Sequence, residues 1–273
     1  MTHHVVGYGF PLNTATARGV AIDKAAAAEL MQTRDVPCIE HRLFLQPRLA
    51  SYMEADGNWA RMRRYAEENH WDIVCKPNEG TGGGGVRRVR TARELEEAVQ
   101  EGFATERALA LCPFYEIETE YRTVVLDGQV LLVYGKARPH VVGDGTSTLR
   151  ALAAEAGFAF SLSPEAATEV VPSGERRLLD WRHNLGRGAT PHAVEGSVRD
   201  AVSALALRAA RTLSLRFCTI DVAATASGLL VMEANAGVML ENYARQAPDG
   251  EATARRIYAA ALDLLFPPEA SGG

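Results

Sequence analysis

Four consecutive glycines, Gly82 to Gly85, are the feature that most narrows what this chain can fold into. Such a run holds neither a helix nor a strand well, because glycine gives up more backbone entropy on ordering than any other residue. It has to be a loop, and its neighbours say which kind. Asp72 to Lys76 reads as a short apolar strand ending in Lys76-Pro77, and Arg87 to Arg90 continue as a second strand. Backbone N–H groups without side chains around them approach an anion unobstructed, and Lys76 adds a fixed cation at the loop's entrance. The pattern points to a phosphate-binding loop between two strands, weighed against a plain flexible surface loop. It is not a Walker A loop, since G-x-x-x-x-G-K-[ST] is absent. Nor is it a dinucleotide fingerprint, since a strand rather than a helix follows.

A second cluster lies near the C-terminus. Strands are expected over Phe217 to Ala223 and Leu229 to Glu233, joined by the small-residue turn Thr225-Ala226-Ser227-Gly228. They set Asp221 and Glu233 inside apolar runs, where a carboxylate is costly unless paired or bound to metal. Asn235, two residues beyond Glu233, points to the same side if the strand continues. Hard oxygen ligands of this kind suit Mg²⁺ shared with substrate phosphates. The bland alternative is a solvated charge at a strand edge.

The remaining periodicities describe alternating helices and hairpins. A helix is expected from Ala17 to Arg34, a strand over Cys38 to Phe44, and a loose helical region from Leu49 to Glu68 interrupted at Asp56-Gly57-Asn58. Thr91-Ala92-Arg93-Glu94 has capping-box spacing and opens a helix to about Phe103. Ala108 to Leu111 reads as a buried strand, and Asp127-Gly128 joins the strands Glu120–Leu126 and Val130–Tyr134 in a hairpin. Further helices are expected from about Ser147 or Thr148, over Val198 to Leu213, and over Glu251 to Leu265. This mixture argues for α+β lobes rather than a doubly wound parallel sheet. The division expected is a short N-terminal segment (1–16), a linker helix and strand (17–45), a small lobe with the glycine loop (46–112), a large lobe with the metal cluster (113–266) and a tail (267–273).

Composition excludes some classes. A net charge of -5 gives no basic footprint for nucleic acid. No stretch approaches the roughly 20 apolar residues of a membrane span, and no signal peptide is visible at the start. The cysteines Cys38, Cys75, Cys112 and Cys218 are far apart and read as buried free thiols. A cytoplasmic protein is expected.

Taken in order, Ile22-Asp23-Lys24, Val74-Cys75-Lys76-Pro77 with its glycine loop, Glu120-Tyr121-Arg122, Tyr134-Gly135-Lys136, Asp221 and Glu233-Ala234-Asn235 make the chain resemble the ATP-grasp superfamily across nearly its whole length. Val141 to Leu149 is similar to a segment of cyanophycin synthetases and bifunctional glutathione synthetases. Trp181 to Gly188 resembles the Arg-x-Asn-x-x-Arg-Gly segment of ribosomal-protein glutamate ligases. The resemblance implies an α+β ATP-grasp fold and a ligase that activates a carboxylate of an amino acid or peptide as an acyl phosphate, then couples it to an amine. Within the same fold, ring closure, ester formation, or a noncatalytic nucleotide-binding subunit are the alternatives.

The roles it implies are specific. Lys24, Lys76 and the backbone of Thr81, Gly82, Gly83, Gly84 and Gly85 would hold ATP phosphates. Main-chain groups of Cys112, Pro113, Phe114 and Tyr115 would meet adenine, and Glu120 the ribose. Lys136 would sit near the transferred phosphate, with Arg122 facing the substrate carboxylate or a neighbouring glutamate. Arg182, Asn184 and Arg187 would stabilise the acyl phosphate, and Asp221, Glu233 and Asn235 would hold two Mg²⁺ ions, Mn²⁺ being the alternative. Two departures stand out. Cys112 occupies a hinge position usually acidic, and only about 16 residues precede the Lys24 helix where the superfamily has an N-terminal domain. A homodimer, a partner, or a peptide or protein substrate is expected to stand in for that domain.

Overall fold

In the computed structural model, which describes residues 4–52, 58–80, 83–158 and 162–267, the first departure from the sequence pattern is at Asp23. The helix expected from Ala17 to Arg34 is two helices, α1 (Ala15–Ile22) and α2 (Lys24–Gln32). One side chain causes the break. Asp23 has extended backbone angles, and its carboxylate accepts the N–H of Ala26 at 2.9 Å, capping α2. High helix propensity in the alanine run could not reveal that cap. Its consequence is positional, because Lys24 becomes the first residue of α2.

The small lobe contains, in chain order, β1 (Arg42–Leu45), α3 (Asn58–Glu68), β2 (Ile73–Pro77), β3 (Arg87–Val89), α4 (Ala92–Thr105) and β4 (Ala108–Pro113). Its strands form an antiparallel sheet in the order β1-β4-β2-β3. Alternation divides the sheet into two faces. Ile73, Cys75, Leu109, Leu111 and Phe44 pack under the helices with Met62 and Leu95. Val74 and Cys112, which are register partners, face the other way, and so does Lys76 opposite Ala110. Thr91 caps α4 through the N–H of Glu94, while the Glu94 carboxylate reaches back to the N–H of Arg90 rather than to Thr91. The strand expected over Cys38 to Phe44 begins later, at Arg42. Residues 37–39 pair instead with the large lobe, through Ile39 N–H to the Val231 carbonyl and Val231 N–H to the Pro37 carbonyl, both 2.9 Å. Residues 56 and 57 of the expected helix interruption lie outside the described residues, and α3 begins at Asn58.

The large lobe follows with β5 (Thr119–Leu126), β6 (Gln129–Ala137), β7 (His140–Val142), α5 (Leu149–Glu155), α6 (Pro164–Thr168), β8 (Arg176–Leu178), β9 (Thr190–Ala193), α7 (Gly196–Thr212), β10 (Phe217–Thr225), β11 (Gly228–Asn235), α8 (Glu241–Gln246) and α9 (Gly250–Leu265). Its main sheet is antiparallel, ordered β11-β10-β5-β6-β9, and β7 pairs with β8 apart from it. The hairpin at Asp127-Gly128 forms as expected, with both residues at positive φ, 47° and 78°. Strands β7 to β9 and helix α8 were not foreseen. On the back of the sheet Ile220, Val222, Val125 and Val231 pack against Val202, Leu205 and Ala209 of α7.

The N-terminal segment is part of this lobe's core. Phe10 meets Phe217 edge-on at 5.1 Å and stacks on Tyr258 at 6.0 Å. The buried Asn13 amide donates to the Phe217 carbonyl at 2.6 Å and accepts the N–H groups of Arg216 and Phe217 at 2.8 and 3.0 Å. The chain start is thereby sewn to β10. All four cysteines are free, and among the described residues no helix is long and apolar enough to cross a membrane.

Candidate active site

Antiparallel register places four chemistry-bearing residues in one row across the front of the large sheet. Glu233 on β11 is opposite Asp221 on β10, Asp221 opposite Arg122 on β5, and Arg122 opposite Tyr134 on β6. In the next row Glu120 faces Lys136. Arg122, Asp221, Lys136 and Glu120 form a quartet, half-buried at Arg122 and buried at the other three. Arg122 grips both oxygens of Asp221, at 2.7 and 2.6 Å, and Lys136 bonds to Glu120 and to Asp221 at 3.1 Å. Asp221 is 2% exposed. Burial alone would raise its pKa, but Arg122 and Lys136 outweigh burial and hold it down at about 2. Burial and Arg122 push the Lys136 ammonium down, Asp221 and Glu120 more than restore it, and its pKa ends above the ordinary value. Glu120, implied at the ribose, is in this structure the ion partner of Lys136, and Arg122 pairs with the aspartate rather than a glutamate. Glu233 and Asn235, half-buried, share the Asp221 face.

The second focus is under the glycine loop. Lys24 donates to the Gly80 carbonyl at 2.6 Å and the Asn78 carbonyl at 3.4 Å, and lies 3.8 Å from the Glu233 carboxylate. One ammonium therefore touches the linker helix, the root of the loop and the metal-type strand. Burial lowers the Lys24 pKa, Glu233 opposes this, and Lys76 adds to it. Lys76 is buried on β2 and makes no ion pair among the described residues. Asn78, 1% exposed, fixes this junction: its side-chain oxygen accepts the N–H of Ala25 and its carbonyl the N–H of Lys24. A polar residue wedged between Lys76-Pro77 and the glycines was a signal available in the sequence and passed over. His41, also buried here, was likewise missed.

Beyond the junction an apolar cluster joins the two lobes at the hinge. Val74, Val86, Cys112 and Tyr115 come from the small lobe side, Leu230 and Met232 from β11. Pro113 ends β4, and Phe114 donates its N–H to Asp72 at 2.9 Å. The Phe114 ring lies under Arg88 at 3.4 Å, with Arg88 held by Asp72, and meets Trp181 edge-on at 5.8 Å.

The segment after Trp181 closes the far side. Arg182 is held by Asp180 at 2.9 to 3.1 Å, and Asn184 caps a single 3₁₀ turn by accepting the N–H of Gly186 at 2.8 Å. Arg187 is exposed at the end of that turn. A Cβ on Gly83 would lie 3.1 Å from the Asn184 amide nitrogen, so the glycine loop and this segment, a hundred residues apart, meet over the cleft. Gly83 and Gly85 have positive φ, 72° and 66°, while Gly84 does not. Thr81 and Gly82 lie outside the described residues. His183 is buried beside this segment. Burial, then Arg138 and Lys136, hold its pKa near 4, against a hydrogen bond to the Glu118 backbone.

Known proteins resemble this chain in sequence and in fold. Residues 166–254 match a RimK-like ATP-grasp domain. A cyanophycin synthetase from Trichormus variabilis is 24% identical over 231 residues, covering 74% of this chain and 25% of that protein. The glutathione biosynthesis bifunctional protein GshAB of Streptococcus mutans is 25% identical over 195 residues, covering 62% of this chain and 26% of that protein. The chain thus spans about a quarter of the length of these curated relatives. Among solved structures, D-alanine–D-alanine ligase from Bacillus anthracis superposes with a TM-score of 0.61 at 14% identity, over 93% of this chain and 68% of that one. The chain has the ATP-grasp fold, and the part of it over residues 166–254 is similar to a RimK-like ATP-grasp domain.

Proposed function

We propose that this chain is an ATP-dependent ligase. It activates a carboxylate of an amino acid or peptide as an acyl phosphate and joins it to an amine, with release of ADP and phosphate. The observation that carries this reading is the position of Lys24, in contact with Gly80 of the loop and 3.8 Å from Glu233. That contact joins three distant stretches of chain into one cleft, with the buried cation Lys76 beside them. A buried cation without a counter-carboxylate is a docking point for an anion, and the glycine loop offers backbone N–H groups to the same anion.

The donor set fits Mg²⁺. Glu233, Asn235 and Asp221 present hard oxygens on one face, and among the described residues no His, Cys, Asp or Glu group forms a self-sufficient metal cage. Mg²⁺ is held in that way by one or two carboxylates and by substrate phosphates, whose developing charge it neutralises. Of the three residues, Asp221 is already engaged by Arg122 and Lys136, so a metal there shares it with those cations.

In the first step a carboxylate oxygen attacks the terminal phosphorus and ADP departs. Lys24 and Lys76 hold the phosphates, and Lys136 stands at the boundary of the quartet to meet charge on the transferred group. In the second step the amine attacks the acyl carbon, phosphate departs and the nitrogen loses a proton. Asn184, Arg182 and Arg187 line this side, and the glycine loop meeting Asn184 excludes water from the acyl phosphate. The apolar side chains around Cys112 and Met232 are the surface offered to the adenine.

The test is ADP release by the purified protein with Mg²⁺, screened over amino acids and short peptides singly and in pairs, with products weighed by mass spectrometry. ADP release that requires a pair, and a condensed product lighter than the two substrates by one water, is the expected result, abolished in Glu233→Ala. ADP from one substrate alone would move the reading to ring closure. Nucleotide binding with equal inactivity of both proteins across the screen would reduce the chain to a nucleotide-binding subunit.

A further inference from the structure

The reaction proposed above makes no use of His41, yet His41 is the most anomalous polar side chain of the cleft. It is 8% exposed, and neither ring nitrogen has a hydrogen-bond partner among the described residues. Buried polar atoms are almost always partnered, and one left alone carries its full desolvation cost. Its placement follows from register. Arg42 pairs with Leu111, so His41 stands just before β1 at the level of Cys112. Alternation puts Ile39 and His41 on the face of the small sheet that carries Val74, Cys112 and Lys76, away from the helices that cover Phe44. The imidazole also lines a small cavity of about 10 Å³, room for about one water, together with Lys24, Glu233 and the apolar Ala27, Met31 and Met232. Burial, then Lys76, then Lys24 keep its pKa well below the ordinary imidazole value, against a pull from the Ile39 backbone carbonyl that falls short of a formed hydrogen bond. The neutral ring offers one N–H and one lone pair within the electrostatic reach of two ammonium groups, Lys76 and Lys24.

We propose that His41 is a phosphate-binding residue of the nucleotide site, accepting a lysine N–H with one ring nitrogen and donating the other N–H to a phosphate oxygen. The inference rests on the ATP-binding reading above. Two cations alone bind an anion without fixing its angle. An imidazole wedged beside Lys24 and Lys76 aligns the ammonium groups and adds a directed donor, and its unmet hydrogen bonds are satisfied only in the complex.

The experiment measures dissociation constants by calorimetry for a non-hydrolysable ATP analogue and for inorganic tripolyphosphate, both with Mg²⁺. The proteins are wild type, His41→Leu, His41→Asn and Lys76→Met. His41→Leu is expected to weaken both ligands roughly tenfold while its thermal midpoint without ligand holds or rises. His41→Asn, which keeps a donor and an acceptor, recovers most of the loss. Wild-type affinity in His41→Leu beside a loss in Lys76→Met would overturn the role of His41 and leave the ATP reading standing. A loss for the ATP analogue but not for tripolyphosphate would move the contact to the base and overturn the phosphate assignment. A lowered thermal midpoint in His41→Leu would mark the ring as a structural element and overturn it too. No binding of either ligand by wild type would remove the ATP reading and this inference together.

Discussion

On the large sheet, the cations Arg122 and Lys136 face the anions Glu120 and Asp221, and every member of the quartet already has its partner. Under the glycine loop, Lys24 lies 3.8 Å from the partly exposed Glu233, and Lys76 makes no ion pair among the described residues. One end of the cleft has every charge paired, while the other holds a buried ammonium, Lys76, outside any ion pair among the described residues, beside a neutral imidazole and a loop of bare N–H groups. The difference separates two tasks. The balanced quartet is a rigid floor assembled before any ligand arrives, and the unbalanced junction keeps its attraction for an anion. Charge balance, rather than the mere presence of charged residues, marks where an anion docks.

The sharpest way to break this comparison is to remove one cation from each end. Arg122→Met leaves the buried Asp221 with Lys136 as its sole cation, and unpairing a buried charge costs about 3–5 kcal/mol. Urea unfolding should show that loss, with tripolyphosphate affinity little changed. Lys76→Met is the mirror image. It removes a buried cation that has no ion pair among the described residues, so unfolding free energy should hold or rise, while affinity for ATP falls roughly a hundredfold. Equal destabilisation by both substitutions would mean that the junction is balanced after all, and the distinction would fail.

Why one end could be read from sequence and the other only in part follows from the range of the forces involved. The glycine loop and Lys76 are chemistry within ten residues, and the alternation that sets Glu233 and Asn235 on one face is local too. The partners of Asp221 are not local. That Arg122, 99 positions away, takes both its oxygens is a consequence of β5 lying beside β10 in one register. His41 looked like one more polar residue because its face depends on pairing with β4. Asp23 breaks a helix by a side-chain cap that alanine-rich propensity conceals. The N-terminal segment read as a short lead-in, yet Asn13 bonds Phe217 across 204 positions. Long-range register and single buried hydrogen bonds leave no periodic trace.

A third prediction sharpens the comparison through His183, at the balanced end. Burial, Arg138 and Lys136 hold it neutral down to about pH 4, whereas in the unfolded chain it takes up a proton near pH 6.5. The unfolded state therefore binds more protons between those values, so stability falls as pH drops from about 6.5 to about 4 and levels off below. The His183 contribution should total about 3 kcal/mol across that window. Urea unfolding of wild type and His183→Asn at a series of pH values isolates it as the difference between the curves. Parallel curves would show that neither burial nor the neighbouring cations hold this ring neutral, and its place beside the quartet would have to be redrawn.

The smallest effect tests whether the two ends are joined by the loop. Gly83 has φ of 72°, and a Cβ there would lie 3.1 Å from the Asn184 amide nitrogen, whereas Gly84 has no positive φ and no atom within 4 Å of its Cβ position. Gly83→Ala therefore carries a left-handed strain of about 1 kcal/mol and a crowded contact across the cleft, while Gly84→Ala carries neither. If the loop closes on Asn184 to shield the acyl phosphate, Gly83→Ala slows amide formation severalfold and raises the share of ADP released without product, because water reaches the intermediate. Gly84→Ala should behave as wild type in both measures. Indistinguishable variants would mean that the contact between loop and Asn184 does not form during turnover, and the anion-docking junction and the neutral floor would then work without a shared lid.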